Sequence, residues 1–336
     1  MSDKIKVAIL GCTGAVGQKL IMLLAKHPLF KIKDITASES SAGKTYADIV
    51  NWKEDIMIPA TIRNMRIKKS NSELDAKILF SALDSSVAGA IEEQYAKQGY
   101  TVVSNAKNHR LHDDVPLIIP EINISHLALI KKQQQRYNST GFIITNPNCA
   151  TVIMALALFP IYQKFGLKEV IVTTMQSISG AGYPGVAALD IIGNIIPHIN
   201  GEEEKIQTEP LKIFGKCKDG KLQFADLKIS AMCNRVPVYN GHTMAISFAT
   251  QTQADKKEIQ KALNGFPNFL RYYTEPLRPQ PLLDVNAGDG MTISVGNLRQ
   301  CNVLDWKLTA LGHNTIRGAA GAAIINAEHL VKNNFI

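Results

Sequence analysis

Lys4-Ile5-Lys6-Val7-Ala8-Ile9-Leu10 runs directly into Gly11-Cys12-Thr13-Gly14-Ala15-Val16-Gly17, and a helical pattern follows from Gln18 to His27, ended by Pro28. A short β-rich run, a glycine turn and a helix make the first half of a β-α-β unit. Each glycine has a task in such a turn: a tight bend, close approach of backbone to a pyrophosphate, and close packing of helix on strand. The amides that open the helix suit the phosphates. Gly11, Thr13, Gly14, Ala15, Val16 and Gly17 are therefore the candidate dinucleotide contacts. The spacing is G-x-x-G-x-x-G, looser than G-x-G-x-x-G, so an ordinary glycine turn is the competing reading.

Outward from this turn, strands are expected at Lys31–Ala37, Ala76–Leu83, Thr101–Ser104 and Pro116–Ile119, with a helix from about Val87 to Gln98. Strands alternating with helices predict an α/β fold: a Rossmann-type, doubly wound parallel sheet with helices on both faces. After Thr145 the character changes. A helix over Ala150–Phe165 leads to a strand, Glu169–Ser177, then to the glycine-rich Ser179–Gly185 and a helical and polar segment reaching about Phe214. Lys221–Ser230, Met244–Thr250 and Met291–Gly296 alternate like strands. A long small-residue helix is expected to start within Asn314–Gly321 and reach about Val331. The chain thus divides into a dinucleotide-binding domain over 1–148, joined by a C-terminal helix over 314–336, and an α+β domain with a mixed sheet over 149–313.

The end of the second strand bears on the cofactor. An acidic residue there would accept the ribose hydroxyls of NAD. Instead Thr36-Ala37-Ser38-Glu39-Ser40-Ser41-Ala42-Gly43-Lys44 follows. The hydroxyls of Ser38 and Ser41, with a lysine nearby, suit a 2′-phosphate and favour NADP. Glu39 keeps NAD open.

The 336 residues suffice for two full cores. Apolar content of 46% and charged content of 20% fit an ordinary globular protein. No segment reaches the length of a membrane span, and Val7–Leu10 is too short for a signal-peptide core. A cytoplasmic protein with no membrane partner is expected. Cys12, Cys149, Cys217, Cys233 and Cys301 are widely spaced and odd in number, which argues against a disulfide framework and a structural zinc site. No metal is expected. The net charge of +8 forms no Lys/Arg block with interleaved aromatics, so no nucleic-acid partner is expected. A basic surplus suits an enzyme whose cofactor and substrate both carry phosphate.

Cys149 lies in Asn146-Pro147-Asn148-Cys149-Ala150-Thr151, after the apolar Gly141-Phe142-Ile143-Ile144 and before a helix-like stretch. A thiol at a helix N-terminus meets unpaired amides and the positive end of the dipole, which favour the thiolate. Pro147 cannot extend a strand, and Asn148 tolerates unusual backbone angles, so a sharp turn is expected to present the sulfur. Far along the chain, Asn234-Arg235-Val236-Pro237-Val238 precedes Gly241-His242. A cysteine nucleophile, a histidine base and an anion-reading arginine are the parts of thioacyl chemistry on a charged substrate. The alternative is a nucleotide-sensing module without activity, in which these three residues coincide by chance.

Eight segments, in order, carry a resemblance: GCTGAVG at Gly11–Gly17, SNAKNHR at Ser104–Arg110, VPLIIPEIN at Val115–Asn123, NPNCAT at Asn146–Thr151, MQSISGAGYPG at Met175–Gly185, GEEEKIQTE at Gly201–Glu209, NRVPVYNGH at Asn234–His242 and HNTIRGAAGA at His313–Ala322. Through them almost the whole chain resembles the aspartate-semialdehyde dehydrogenases, in particular their archaeal and fungal-like branch. Ala150 departs from the serine often found there in that family.

The resemblance implies a role for each matching residue. Cys149 is the nucleophile and His242 the general acid/base. Arg235 pairs with the substrate carboxylate, a task that suits a bidentate fork. Gln176 helps place the substrate near the sulfur. Glu202 and Lys205, three apart and so on one helical face, serve the substrate ammonium and the phosphate. Arg110 binds phosphate. Ser179, Gly180 and Gly182 form the loop that approaches nicotinamide and substrate, and Asn314 contacts the cofactor.

The implied reaction is the NADPH-dependent reductive dephosphorylation of L-4-aspartyl phosphate to L-aspartate 4-semialdehyde through a thioester on Cys149, on the route to lysine, threonine, methionine and isoleucine. Backbone amides at the helix start are expected to stabilise the oxyanion. A homodimer or homotetramer, formed through the second domain, is implied as well. Malonyl-CoA reductase is the nearest alternative, because it shares the Cys, the Gly-His and much of SGAGYPG; NPNC and GEEEK favour the amino-acid acyl phosphate. N-acetylglutamyl-phosphate reductase is a more distant one.

Overall fold

The computed structural model describes residues 4–218 and 220–336. Its contacts divide the chain into two compact units. One comprises Met1–Pro147, Cys217–Leu222 and Ala319–Ile336; the other comprises Asn148–Lys216 and Gln223–Gly318.

The first unit holds six strands: β1 (Ile5–Leu10), β2 (Phe30–Ala37), β3 (Lys68–Lys69), β4 (Ile78–Ser81), β5 (Thr101–Ser104) and β6 (Phe142–Thr145). All pair in parallel, in the order β3-β2-β1-β4-β5-β6. Every residue of β4, β5 and β6 is buried, as befits parallel strands covered on both faces. Alternation along β1 feeds two cores. Val7 and Ile9 join Phe30, Ile35, Phe80 and the returning helix Gly321–Lys332, while Ala8 and Leu10 join Leu79, Val102, Ile143 and Tyr95. The strand order reverses between β1 and β4, so their carboxyl ends mark the topological switch point of the sheet.

Several boundaries differ from expectation. The first helix spans Ala15–Leu24, starting three residues earlier than Gln18 because Gly14 takes the N-cap position. Pro116–Ile119 forms no strand. Pro116 lacks an N–H and Pro120 opens a short helix, so only a bridge between Leu117 and Thr145 remains. The final helix starts at Gly321, the last residue of the expected window, because Ile316–Ala320 forms a single π turn before it.

The second unit is built on a mixed sheet. It comprises β7 (Leu167–Gln176), β10 (Lys228–Arg235), β11 (His242–Thr250), β12 (Leu270–Tyr272), β13 (Ile293–Gln300) and β14 (Trp306–Gly312); between β7 and β10 the chain also forms a two-stranded hairpin, β8 (Lys216–Lys218) and β9 (Lys221–Gln223), most of which falls to the first unit. The main sheet has the order β10-β7-β11-β14-β13-β12. β10 runs parallel to β7, and β11 antiparallel to both β7 and β14. The single strand expected over Lys221–Ser230 is broken, because the Ala225 amide turns away to the Leu211 carbonyl at 2.8 Å.

The helix Cys149–Phe165 packs on β7, β11, β13 and β14. Twelve of its seventeen residues are buried, so it is apolar all round, as a helix inside a core must be. Among the described residues no helix is long and apolar enough to cross a membrane.

Candidate active site

The sheet of the second unit brings distant residues to one end. Gln176 closes β7, Arg235 closes the parallel β10 opposite it, and His242 opens the antiparallel β11. Cys149 is the first residue of its helix. Its Sγ lies 3.2 Å from His242 Nε2.

Asn148 holds the start of the Cys149 helix in place. Its backbone is extended (φ −54°, ψ 144°), so the unusual angles expected there do not occur. It works instead as the helix N-cap, with Oδ1 accepting from the amides of Ala150 at 2.9 Å and Thr151 at 3.2 Å. Those two amides are thereby occupied by the cap. The Asn148 amide donates to Glu209 Oε2 at 2.7 Å, and Nδ2 donates to both oxygens of Glu202 at 3.1 and 2.9 Å. Glu202 and Glu209 are seven apart on one face of the helix Glu202–Ile213.

Glu202 also accepts from Lys205 Nζ at 2.6 Å and Gln176 Nε2 at 3.2 Å. Burial would raise this carboxyl, but the Lys205 charge and the three donors outweigh burial and hold it below its ordinary value. Arg235 is buried and donates Nη1 to the Ser177 carbonyl at 2.8 Å. Burial lowers its guanidinium without discharging it. His242 is completely buried, and burial first, then the Arg235 charge, holds it down to about 3. Its Nδ1 lies 3.1 Å from the Ser177 amide.

The loop after β7 folds over these groups as a 3-10 turn, Ile178–Ala181. A Cβ on Gly180 would fall 2.8 Å from both Arg235 Nη1 and His242 Cε1, so this position has room for glycine alone. Gly182 has φ +71°, a conformation that favours glycine. Asn314 accepts the Gly241 amide at 2.9 Å and donates to Ser179 Oγ at 2.8 Å.

The other expected residues belong to the first unit. Gly11 follows β1 with φ +79°, and a Cβ there would lie 2.6 Å from the Ala82 carbonyl; one on Gly17 would lie 2.2 Å from the Gly11 carbonyl. Gly14 caps the helix without any side-chain bond, and Ala15, Val16 and Gly17 form its first turn. The Thr13 carbonyl accepts from Gln18 Nε2 at 2.8 Å. Ser38 and Ser41 follow β2, with Ser38 Oγ 3.4 Å from Ser41 Oγ. Glu39 is exposed and turned to Lys69 at 3.7 Å. Arg110 is buried and donates to the Asn105 carbonyl at 2.7 Å. Among the described residues no three His, Cys, Asp or Glu side chains converge to hold a metal ion.

Sequence reasoning missed Asn148 as a cap, Glu209, Ser177 and Gly318. The cap was findable, since asparagine just before a helix is a start signal. Glu209 repeats Glu202 two turns on. Ser177 and Gly318 act through backbone position and carry no local signal.

Known proteins are similar to this chain. Residues 6–130 match the family described as semialdehyde dehydrogenase, NAD binding domain, and residues 158–317 match semialdehyde dehydrogenase, dimerisation domain. An aspartate-semialdehyde dehydrogenase of Archaeoglobus fulgidus is 44% identical, over 98% of this chain and 99% of its own. The one from Saccharomyces cerevisiae is 40% identical over the full length of both. The crystal structure of the Candida albicans aspartate semialdehyde dehydrogenase with NADP superposes with a TM-score of 0.91 at 38% identity, covering 99% of this chain and 100% of that one. With such likeness from end to end, and in both units, the chain belongs to the aspartate-semialdehyde dehydrogenase family.

Proposed function

We propose that the chain catalyses the NADPH-dependent reductive dephosphorylation of L-4-aspartyl phosphate to L-aspartate 4-semialdehyde, on the route to lysine, threonine, methionine and isoleucine, and that it does so in the cytoplasm. The observation that carries this reading is the 3.2 Å approach of Cys149 Sγ to the buried imidazole of His242, at a helix start, in a chain whose full-length relatives bear that name.

NADP fits the residues present. The glycine turn brings backbone where a Cβ would collide, and the helix it opens has no side-chain cap, which leaves its end suited to phosphate. Hydroxyls follow β2, and Glu39 is engaged by Lys69 rather than poised for ribose. When bound, NADPH supplies the hydride.

The remaining chemistry falls to side chains. The Cys149 thiolate attacks the acyl carbon; a C–S bond forms, and phosphate leaves with the electrons of the C–O bond. After reduction the C–S bond breaks and its electrons return to sulfur, with His242 positioned to supply a proton there. Arg235 would receive the substrate carboxylate, Glu202 the ammonium, and Lys205 and Arg110 the phosphate, with Gln176 orienting the acyl group. Ser179, Gly180, Gly182 and Asn314 would border nicotinamide and substrate.

A homodimer is proposed through the outer face of the second unit's sheet. Ile171 of β7 and Met232 of β10 are exposed there, as is Tyr239 beyond β10. The match to a dimerisation domain supports this assembly.

The test is mass spectrometry of the intact protein after incubation with L-aspartate 4-semialdehyde and NADP without phosphate. An aspartyl thioester on Cys149 and one equivalent of NADPH are expected, and added phosphate should release the acyl group. Absence of the adduct, or its persistence in Cys149→Ala, overturns the mechanism. Turnover of malonyl-CoA in place of aspartyl phosphate overturns the substrate.

A further inference from the structure

His242 is held at both ring nitrogens. Nε2 faces Cys149 Sγ at 3.2 Å, and Nδ1 faces the Ser177 backbone amide at 3.1 Å. A backbone N–H can only donate. Nδ1 must therefore present its lone pair, and the hydrogen of the neutral ring must sit on Nε2, pointing at sulfur.

The same direction is imposed from further away. The Gly241 amide donates to Asn314 Oδ1 at 2.9 Å, which fixes the orientation of that side-chain amide. Nδ2, a pure donor, then faces Ser179 Oγ at 2.8 Å. Ser179 Oγ lies 3.4 Å from Ser177 Oγ, which lies 3.3 Å from His242 Nδ1. With a donor fixed at its far end, each hydroxyl turns its hydrogen onward, toward the imidazole. The two hydroxyl contacts are long, so the Ser177 amide dominates and the hydroxyl chain reinforces it. The titratable or charged neighbours of the ring are Cys149, Arg235, Glu202 and His313.

Building on the acyl-transfer reading above, we propose that Ser177, Ser179 and Asn314 are positioning residues that lock His242 as the Nε2–H tautomer, so that the imidazole meets Cys149 as a neutral hydrogen-bond donor and not as the resting acceptor of its proton. Negative charge on the sulfur is then answered by the Arg235 guanidinium and the helix start rather than by an imidazolium. Burial and Arg235, which keep the ring uncharged, act in the same sense.

The experiment is nitrogen-15 NMR of the histidine rings in the full-length protein without cofactor or substrate, with His242 assigned by its loss in His242→Asn. The wild type should show a bare Nδ1 and a protonated Nε2 across the neutral pH range. Asn314→Asp, nearly isosteric, places an acceptor where the chain begins. It should shift the ring toward Nδ1–H and lower kcat about tenfold with KM for the semialdehyde little changed. Ser179→Ala should lose about as much, and Ser179→Thr, which keeps the hydroxyl, should lose less than Ser179→Ala. If Asn314→Asp does not fold, the serine pair makes the same comparison. An imidazolium or an Nδ1–H ring in the wild type overturns the lock, as do equal rates in the two Ser179 variants. The NMR reading needs no turnover, so it fails or survives separately from the thioester assay.

Discussion

Gly318 and Cys149 are packed so closely that a Cβ on the glycine would lie 2.6 Å from the Cβ of the cysteine. Gly318 belongs to the π turn Ile316–Ala320, and its amide is tied to the His313 carbonyl at 3.0 Å, so it cannot easily retreat. Gly318→Ala should therefore move Cys149 away from His242. Overpacking should cost about 1–3 kcal/mol in stability, and the misplaced thiol about 10²-fold in kcat. Thermal unfolding and steady-state rates check both. A variant with wild-type values would mean that the backbone yields there.

Asn148→Asp keeps the capping oxygen but replaces the Nδ2 donor with a carboxylate oxygen beside Glu202, at the 2.9 Å now spanned by a hydrogen bond. Two buried carboxylates in contact should destabilise the second unit by about 3–5 kcal/mol. Asn148→Ser keeps a cap and adds no charge, so it should cost only about 1–3 kcal/mol. Urea unfolding of the two variants tests the order; equal losses would show that Glu202 does not grip Asn148.

Gly180→Ala directs a methyl group at Arg235 Nη1 and His242 Cε1, both 2.8 Å away. Both side chains must shift, so kcat should fall and KM for the semialdehyde should rise together. A change in KM alone would mean that only the guanidinium moves.

Arg235→Lys keeps the charge and loses the fork that would receive a carboxylate. The main effect should be on KM, equivalent to about 2–5 kcal/mol of binding. An unchanged KM would remove Arg235 from the substrate site.

Glu92 is a fully buried carboxyl in the first unit, bonded by Ser104 Oγ at 2.7 Å. Burial pushes it up from 4.5 to about 7. The folded state thus holds a proton that the unfolded chain releases at lower pH. Its contribution is fully present below about 4.5 and is lost as pH rises through about 7. Across that window the stability of the wild type should fall by on the order of 3 kcal/mol relative to Glu92→Gln. Parallel pH curves for the two proteins would dismiss the effect.

The first unit is legible from short apolar runs between glycine and helix signals, and Thr101–Ser104 is a strand to the residue. Shorter elements are not: two residues of β3 and three of β12 are too few for any period to register. β14 is a different case, because its buried positions alternate along part of Trp306–Gly312 and the signal was there to read. In the site, residue types at sheet ends and helix starts can be read locally. Glu209 reaches Asn148 across 61 residues, and the Ser177 amide reaches His242 across 65, and neither leaves a mark on nearby sequence.

Because the helix Cys149–Phe165 is the centre of its own hydrophobic core, the Cys149 sulfur is mounted on the element least able to melt alone. Loss of activity on heating and cooperative collapse of that half of the molecule should therefore coincide, and an inactivation curve becomes a thermometer for the fold. Improving the packing around Ile153, Leu156 or Ile161 would lengthen the working life of the enzyme without any alteration to its chemistry.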